Sequence, residues 1–163
     1  MDEIIDRIPQ LENRVYILGG PRDLALKEAM ALILGITDRH YLSTEFYCMK
    51  STEEEIRTEF EETAASKGLG KGAKSFFRTQ RNGDVEVVVK KICASYDRRF
   101  VRLVFIDSLE ALHFKGEAHD RKKVLARLQT ACHIIVISDE LAQSGSDGGQ
   151  LECEGRKNSL TVR

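Results

Sequence analysis

Two stretches in the second half of the chain, FVRLVFID (100–107) and CHIIVISD (132–139), are apolar at nearly every position rather than at alternate ones. A strand of that kind must be covered on both faces, which points to a parallel sheet held between layers of helices. The remaining sequence supplies the other parts. RVYIL (14–18) reads as a first strand, HYLSTEF (40–46) as a second and SFFRTQ (75–80) as a third. After the glycine pair Gly19–Gly20, the residues Leu24, Ala25, Ala29, Leu32 and Ile33 recur at helical spacing, with Gly35 as the expected stop. STEEEIRTEFEETAASKG (51–68) opens with capping-box spacing and ends at a glycine, and AHDRKKVLARLQTA (118–131) is amphipathic. GDVEVVVKKICASYD (83–97) is ambiguous, because valine runs favour strands. Asp84 as an N-cap and the stripe Val85, Val88, Val89, Ile92 and Tyr96 predict a helix there. The end, GQLECEGRKNSLTVR (149–163), reads as two short strands around a turn at 155–158.

Strands alternating with helices of this length predict an α/β fold: a mostly parallel sheet with helices on both faces, right-handed crossovers and a C-terminal antiparallel hairpin. The 163 residues suit a single domain spanning 14–163, preceded at 1–13 by a short N-terminal helix or linker carrying Ile4, Ile5 and Ile8. That helix has two possible seats, a neighbouring subunit or its own sheet.

A net charge of −1 excludes a global attraction to nucleic acid or to an anionic membrane, so any such contact needs a local patch. No apolar run approaches the roughly 18 residues of a membrane span, and the acidic start MDEIIDRIPQ is unlike a signal peptide. An intracellular protein, cytoplasmic or nuclear, with no membrane partner is expected. Cys48, Cys93, Cys132 and Cys153 contain no C-x-x-C pair, and no histidine stands at zinc-finger distance. Cys132 and His133 are adjacent and should face opposite sides of a strand. Free thiols, no structural metal and no disulfide are expected.

In sheets of this class ligands bind beyond the carboxyl ends of the strands. That rule selects Gly19 to Asp23, Ser43 to Phe46, Asp107 to Glu110 and Ser138 to Glu140. In LVFIDSLEAL (103–112), four apolar residues followed by Asp107 and Ser108 have the Walker-B form, whose carboxylate holds the magnesium of a bound nucleotide. The plain alternative is an aspartate capping the next turn. Glu45, expected at the end of the second strand, could orient and deprotonate a water there. The plain alternative is a surface glutamate. Between 67 and 81, Lys67, Lys71, Lys74, Arg78 and Arg81 are basic, nothing is acidic, and Phe76 and Phe77 are interleaved. Such a stretch can follow a phosphate backbone and stack bases. Equally, it can be a solvated loop whose phenylalanines belong to the third strand.

Taken together, YLSTEFYCMKSTEEEI (41–56), LVFIDSLEAL, HIIVISDE (133–140) and LECEGRKNSLTVR (151–163) resemble, in order, the strand-end motifs of the RecA superfamily in its KaiC, RadA and DnaB-helicase branch. The resemblance implies a RecA-like domain, an ATP and magnesium site using Gly19, Gly20, Arg22, Asp107 and Ser108, and Glu45 as catalytic base. Its implied partners are a RecA-like protein, further copies of the chain, or DNA in recombination, repair or replication. The departures are as informative. That family's phosphate loop is G-x-x-x-x-G-K-[ST]. In GGPRDLAL (19–26), Leu24 stands for the second glycine, Ala25 for the lysine and Leu26 for the hydroxyl. Nor does the family's basic motif follow the final hairpin, where only Arg156, Lys157 and Arg163 are candidates. The expectation is therefore a binding or assembly module that does not hydrolyse ATP, with Glu45 vestigial and no resident cofactor. The alternative is an ATPase subunit of an oligomer with a non-standard site, in which Arg22 replaces the lysine.

Overall fold

The computed structural model describes residues 2–7, 15–70, 74–140 and 150–154. In chain order the elements are α1 (Asp2–Arg7), β1 (Val15–Gly19), α2 (Arg22–His40), β2 (Ser43–Cys48), α3 (Glu53–Lys67), β3 (Ser75–Thr79), α4 (Val85–Arg99), β4 (Val101–Ile106), α5 (Arg121–Arg127), β5 (His133–Ser138) and β6 (Gln150–Glu154). One sheet contains all six strands in the order β3-β2-β4-β5-β1-β6. Its first five strands are parallel, and β6 runs antiparallel along β1 at the edge. This is the α/β arrangement that the two apolar runs demand. The turn and second arm expected after β6 lie outside the described residues, with Arg156, Lys157 and Arg163.

Each face of the sheet carries its own apolar layer. Tyr16, Ile33, Phe46, Phe105 and Ile135 pack with α2 and α3, whereas Ile17, Val88, Ile92, Val104, Val124 and Val136 pack with α4 and α5. Neighbouring residues of one strand serve opposite layers, as the pleat requires. Phe76 and Phe77 divide in the same way and belong to the edge strand: Phe77 stacks on Phe46 at 4.5 Å, and Phe76 packs on the α4 side. Cys132 joins the α4 layer, its Sγ 3.4 Å from the Val101 carbonyl oxygen, and burial pushes its thiol up to about 12.

Local signals account for most helix ends. Thr52 and Glu55 close a reciprocal capping box on α3, and Gly68 ends it in the left-handed region. Asp84 caps α4 by accepting from the Glu86 amide at 3.0 Å, which settles the valine-rich segment as helix. α5 is shorter than predicted, because Asp120 caps it at Arg121 and it ends at Arg127. The predicted stop at Gly35 is overturned, since α2 continues to His40. Gly35 instead leaves room for Ile5, whose side chain occupies the place a Cβ would take. α1 is therefore seated on its own domain, where His40 Nε2 lies 3.1 Å from the Ile5 carbonyl oxygen and Arg39 pairs with Asp6 at 2.6 Å.

α2 and α4 both end at a non-glycine residue in the left-handed region, Tyr41 (φ 55) and Phe100 (φ 56). Such a conformation costs an ordinary residue about 1 kcal/mol or more relative to glycine. The Tyr41 cap also delays β2 to Ser43–Cys48, three residues later than the predicted start.

Gly83 generates a stability prediction. His113 N donates to the Gly83 carbonyl at 2.9 Å and Val85 N to His113 O at 2.9 Å, so this short parallel bridge presses Gly83 against the backbone carbonyl of Ala111. A Cβ at Gly83 would overlap that carbonyl oxygen, and backbone cannot swing aside as a side chain can. Gly83→Ala should lower stability by about 1–3 kcal/mol, read as a fall in the urea midpoint with an unchanged slope.

Candidate functional site

Asp107 follows directly on β4 and is fully buried. Its carboxylate sits inside a turn of backbone amides that follows β2. Oδ1 accepts from Met49 N at 2.7 Å and Lys50 N at 3.2 Å, and Oδ2 from Lys50 N at 3.0 Å and Ser51 N at 2.6 Å. Successive N–H groups converging in this way form an anion-binding nest, filled here by the protein's own carboxylate. Arg22, the first residue of α2, completes the enclosure. Its Nη2 lies 3.2 Å from Asp107 Oδ2 and donates to Ser51 Oγ at 2.6 Å, while Nη1 donates to the Asp107 carbonyl at 2.9 Å. A next layer surrounds the pair: Lys50 Nζ binds Asp139 at 2.7 Å, and Arg22 lies 3.9 Å from the same carboxylate.

The strand-to-helix turn before Arg22 is very short. β1 ends at Gly19 and α2 begins at Arg22, so only Gly20 and Pro21 lie between them. Gly20 is buried at φ 121, which explains a glycine at that point. Ala25, at the position matched to the phosphate-loop lysine, is fully buried in the core of α2, and Leu24 and Leu26 stand on the same helix. No side chain caps α2, and its first turn carries Asp23, whose charge opposes an incoming phosphate. Ser108 is buried behind Asp107.

Glu45 does not stand at a strand end. It is the third of six residues in β2, fully buried, beside Phe76 on one neighbouring strand and Val104 on the other. Arg78 Nε lies 3.2 Å from Glu45 Oε1, and the Arg78 guanidinium covers the Tyr47 ring at 5.6 Å. Burial first, and then the adjacent Glu45 carboxylate, raise the Tyr47 hydroxyl above its ordinary value. Met49, Lys50 and Ser51 occupy the true carboxyl edge beyond β2. The four-residue displacement arises because alternation fixes which face a residue takes, not where its strand stops.

The basic residues of 67–81 do not form one surface. Lys67 and Lys74 are exposed near the amino end of β3. Arg78 turns inward to Glu45, and Arg81 donates to the Met49 carbonyl at 2.7 Å, at the opposite edge of the sheet. Lys71 lies outside the described residues.

Two further features of the carboxyl edge have no sequence signature. Glu110 binds the end of β5, accepting from Ser138 Oγ at 2.5 Å and from the amides of Asp139 and Glu140 at 3.2 Å each. An open groove of about 650 Å³ runs between α2 and α3, lined by Arg22, Asp23, Ser51, Glu54, Glu55 and Glu59 among others. Its one cation among the described residues is already committed to Asp107, so the groove repels a polyphosphate. The donor set fits magnesium equally poorly. Both Asp107 oxygens face N–H donors, and Ser51 Oγ accepts from Arg22, so a metal ion would meet hydrogens where it needs lone pairs.

These contacts predict the stability of a variant. A carboxylate reserved for a metal strains its fold, whereas one that closes a nest holds it together. Asp107→Asn should lose about 3 kcal/mol of stability, the scale for breaking a buried pair, measured by urea unfolding in a chelating buffer. A neutral or stabilising effect would contradict this account of the site.

No protein-family model matches the sequence, and neither does any curated protein. Among solved structures, the chain is similar to the ATPase domain of a DnaB-like helicase, with a TM-score of 0.62 at 9% identity, over 93% of this chain and 79% of that one. At that identity the likeness is one of fold. The domain has a RecA-like α/β fold.

Proposed function

We propose that this chain is a RecA-like binding or assembly module whose nucleotide position has been closed by its own side chains, so that it does not hydrolyse ATP. The observation that carries this reading is the seat of Arg22. Its guanidinium lies against Asp107, and the Asp107 carboxylate is taken up by three amides of the turn after β2. On this reading GGPRDLAL is an eroded phosphate loop. The backbone span that would wrap a triphosphate is reduced to Gly20 and Pro21, and the lysine position is core. Each lost charge-assisted contact removes about 1.5–3 kcal/mol, and together they weaken nucleotide binding by orders of magnitude. Glu45 is then a structural acid between β2 and β3, not a base. The module's work lies in contacts with a partner, a protein of the same fold, another copy of the chain, or DNA.

The alternative is an ATPase in which Arg22 serves as the phosphate-loop cation, and Arg22 is the first residue of α2, about a quarter exposed. It requires Arg22 to leave Asp107 and Ser51 on nucleotide binding. Calorimetry with ATP and ADP, with and without magnesium, separates the two. The expected result is no heat and no shift in melting temperature at millimolar nucleotide. Micromolar, magnesium-dependent binding abolished by Arg22→Ala would overturn the proposal and establish the alternative.

A further inference from the structure

The amino edge of the sheet, opposite the site just described, is built quite differently. Tyr41 immediately precedes the entry to β2 and Phe100 the entry to β4, and these strands are neighbours paired at Ser43 and Val101. Both rings are largely exposed, at 75% and 70%, and both sit on backbones in the left-handed region. Neither property helps the fold. Glycine or asparagine is the usual residue at such a helix end, and an exposed ring contributes little packing. Strain retained at an exposed aromatic position is a mark of use.

The charges around these rings are also unlike those of the carboxyl edge. There, Arg22 and Lys50 are tied to Asp107 and Asp139. Here, Lys67, Lys74, Arg98, Arg99 and Arg102 make no ion pair among the described residues. Register brings them together: the Lys74 carbonyl accepts from Thr44 N at the start of β2, and Arg102 lies 5.9 Å from the Phe100 ring. The nearby carboxylates are Asp6, taken by Arg39; Asp38, which accepts from the Gly70 amide; and Asp97. Helix dipoles account for cations in the last turns of α3 and α4. They do not account for two exposed rings beside them.

We infer that this edge binds a single-stranded nucleic acid, with Tyr41 and Phe100 stacking on bases and the five unpaired cations following the phosphates. Flat π faces flanked by free cations are the combination that suits an unpaired strand, and a duplex would hide its base faces from both rings. Neighbouring strands lie about 5 Å apart, so the two rings stand within reach of nearby bases on one strand. This edge shares no residue with the nucleotide position, and its binding of a strand stands or falls apart from the reading given above.

Fluorescence anisotropy of a labelled oligothymidylate of about 20 residues, added to the full chain at low salt without nucleotide, tests this. Binding should weaken with salt, with a log–log slope of about −3 for roughly five contacted phosphates. The double variant Tyr41→Gly with Phe100→Gly should bind at least about tenfold more weakly. Its melting temperature should be unchanged or raised, because glycine suits both backbone positions. Arg98→Glu with Arg99→Glu should weaken binding and flatten the salt slope. Absence of binding by the wild-type chain would overturn the inference, as would equal binding by the double glycine variant or by a duplex of the same length. Self-association of the wild type, lost in the double glycine variant without any oligonucleotide binding, would overturn it too and mark the edge as a protein interface.

Discussion

Three elements that are distant in sequence meet at one buried carboxylate. Asp107 leaves β4, the amides of Met49, Lys50 and Ser51 leave β2, and Arg22 opens α2. A buried carboxylate without partners would cost several kcal/mol, and this one is surrounded by donors on every side. Because β4 is flanked by β2 and β5, fixing its end also fixes the carboxyl edge of the neighbouring strands. Lys50 extends the network to Asp139 at the end of β5, and Glu110 holds the same strand end from the other side. The edge at which ligands enter folds of this class is thus spanned by internal contacts.

The two ends of the sheet consequently differ in character. At the carboxyl edge cations and carboxylates are matched, and the neighbouring groove is lined with surplus glutamates. At the amino edge cations stand unpaired beside exposed rings. A net charge of −1 conceals this separation, because the acidic and basic ends cancel in the sum. Over one Debye length, about 8–10 Å, a partner senses the nearest edge rather than the total. Net charge therefore excludes less about partners than it first suggests.

What could be read from the sequence was what local rules govern. Continuous apolar runs identified β4 and β5, hydroxyl and carboxyl caps placed α3 and α4, and alternation sent Cys132 into the α4 layer. The misreadings all involve contacts between distant segments. Gly35 had the composition of a helix stop, but its role is set by Ile5, thirty residues earlier. Glu45 had the neighbours expected of a strand end, yet β2 runs on to Cys48 because Tyr41 caps α2 late. The basic run 67–81 looked like one loop, although β3 passes through it and carries its two halves to opposite edges of the sheet. The nest around Asp107 could not be foreseen, since backbone amides leave no trace in composition.

A domain with an open phosphate loop must tolerate unsatisfied amides and a lone acidic group until its ligand arrives, and such sites are stabilised by what they bind. Here the equivalent donors and acceptor satisfy each other within one chain. A ligand competing for Asp107 must displace Arg22 and break up to four amide contacts before it gains any of its own. The resulting stability does not depend on nucleotide concentration, and it comes at the expense of any response to it. On the proposed reading, a switchable site has become a fixed joint. That joint leaves the opposite edge, with its strained rings and unpaired cations, as the part of the molecule still shaped for an external partner.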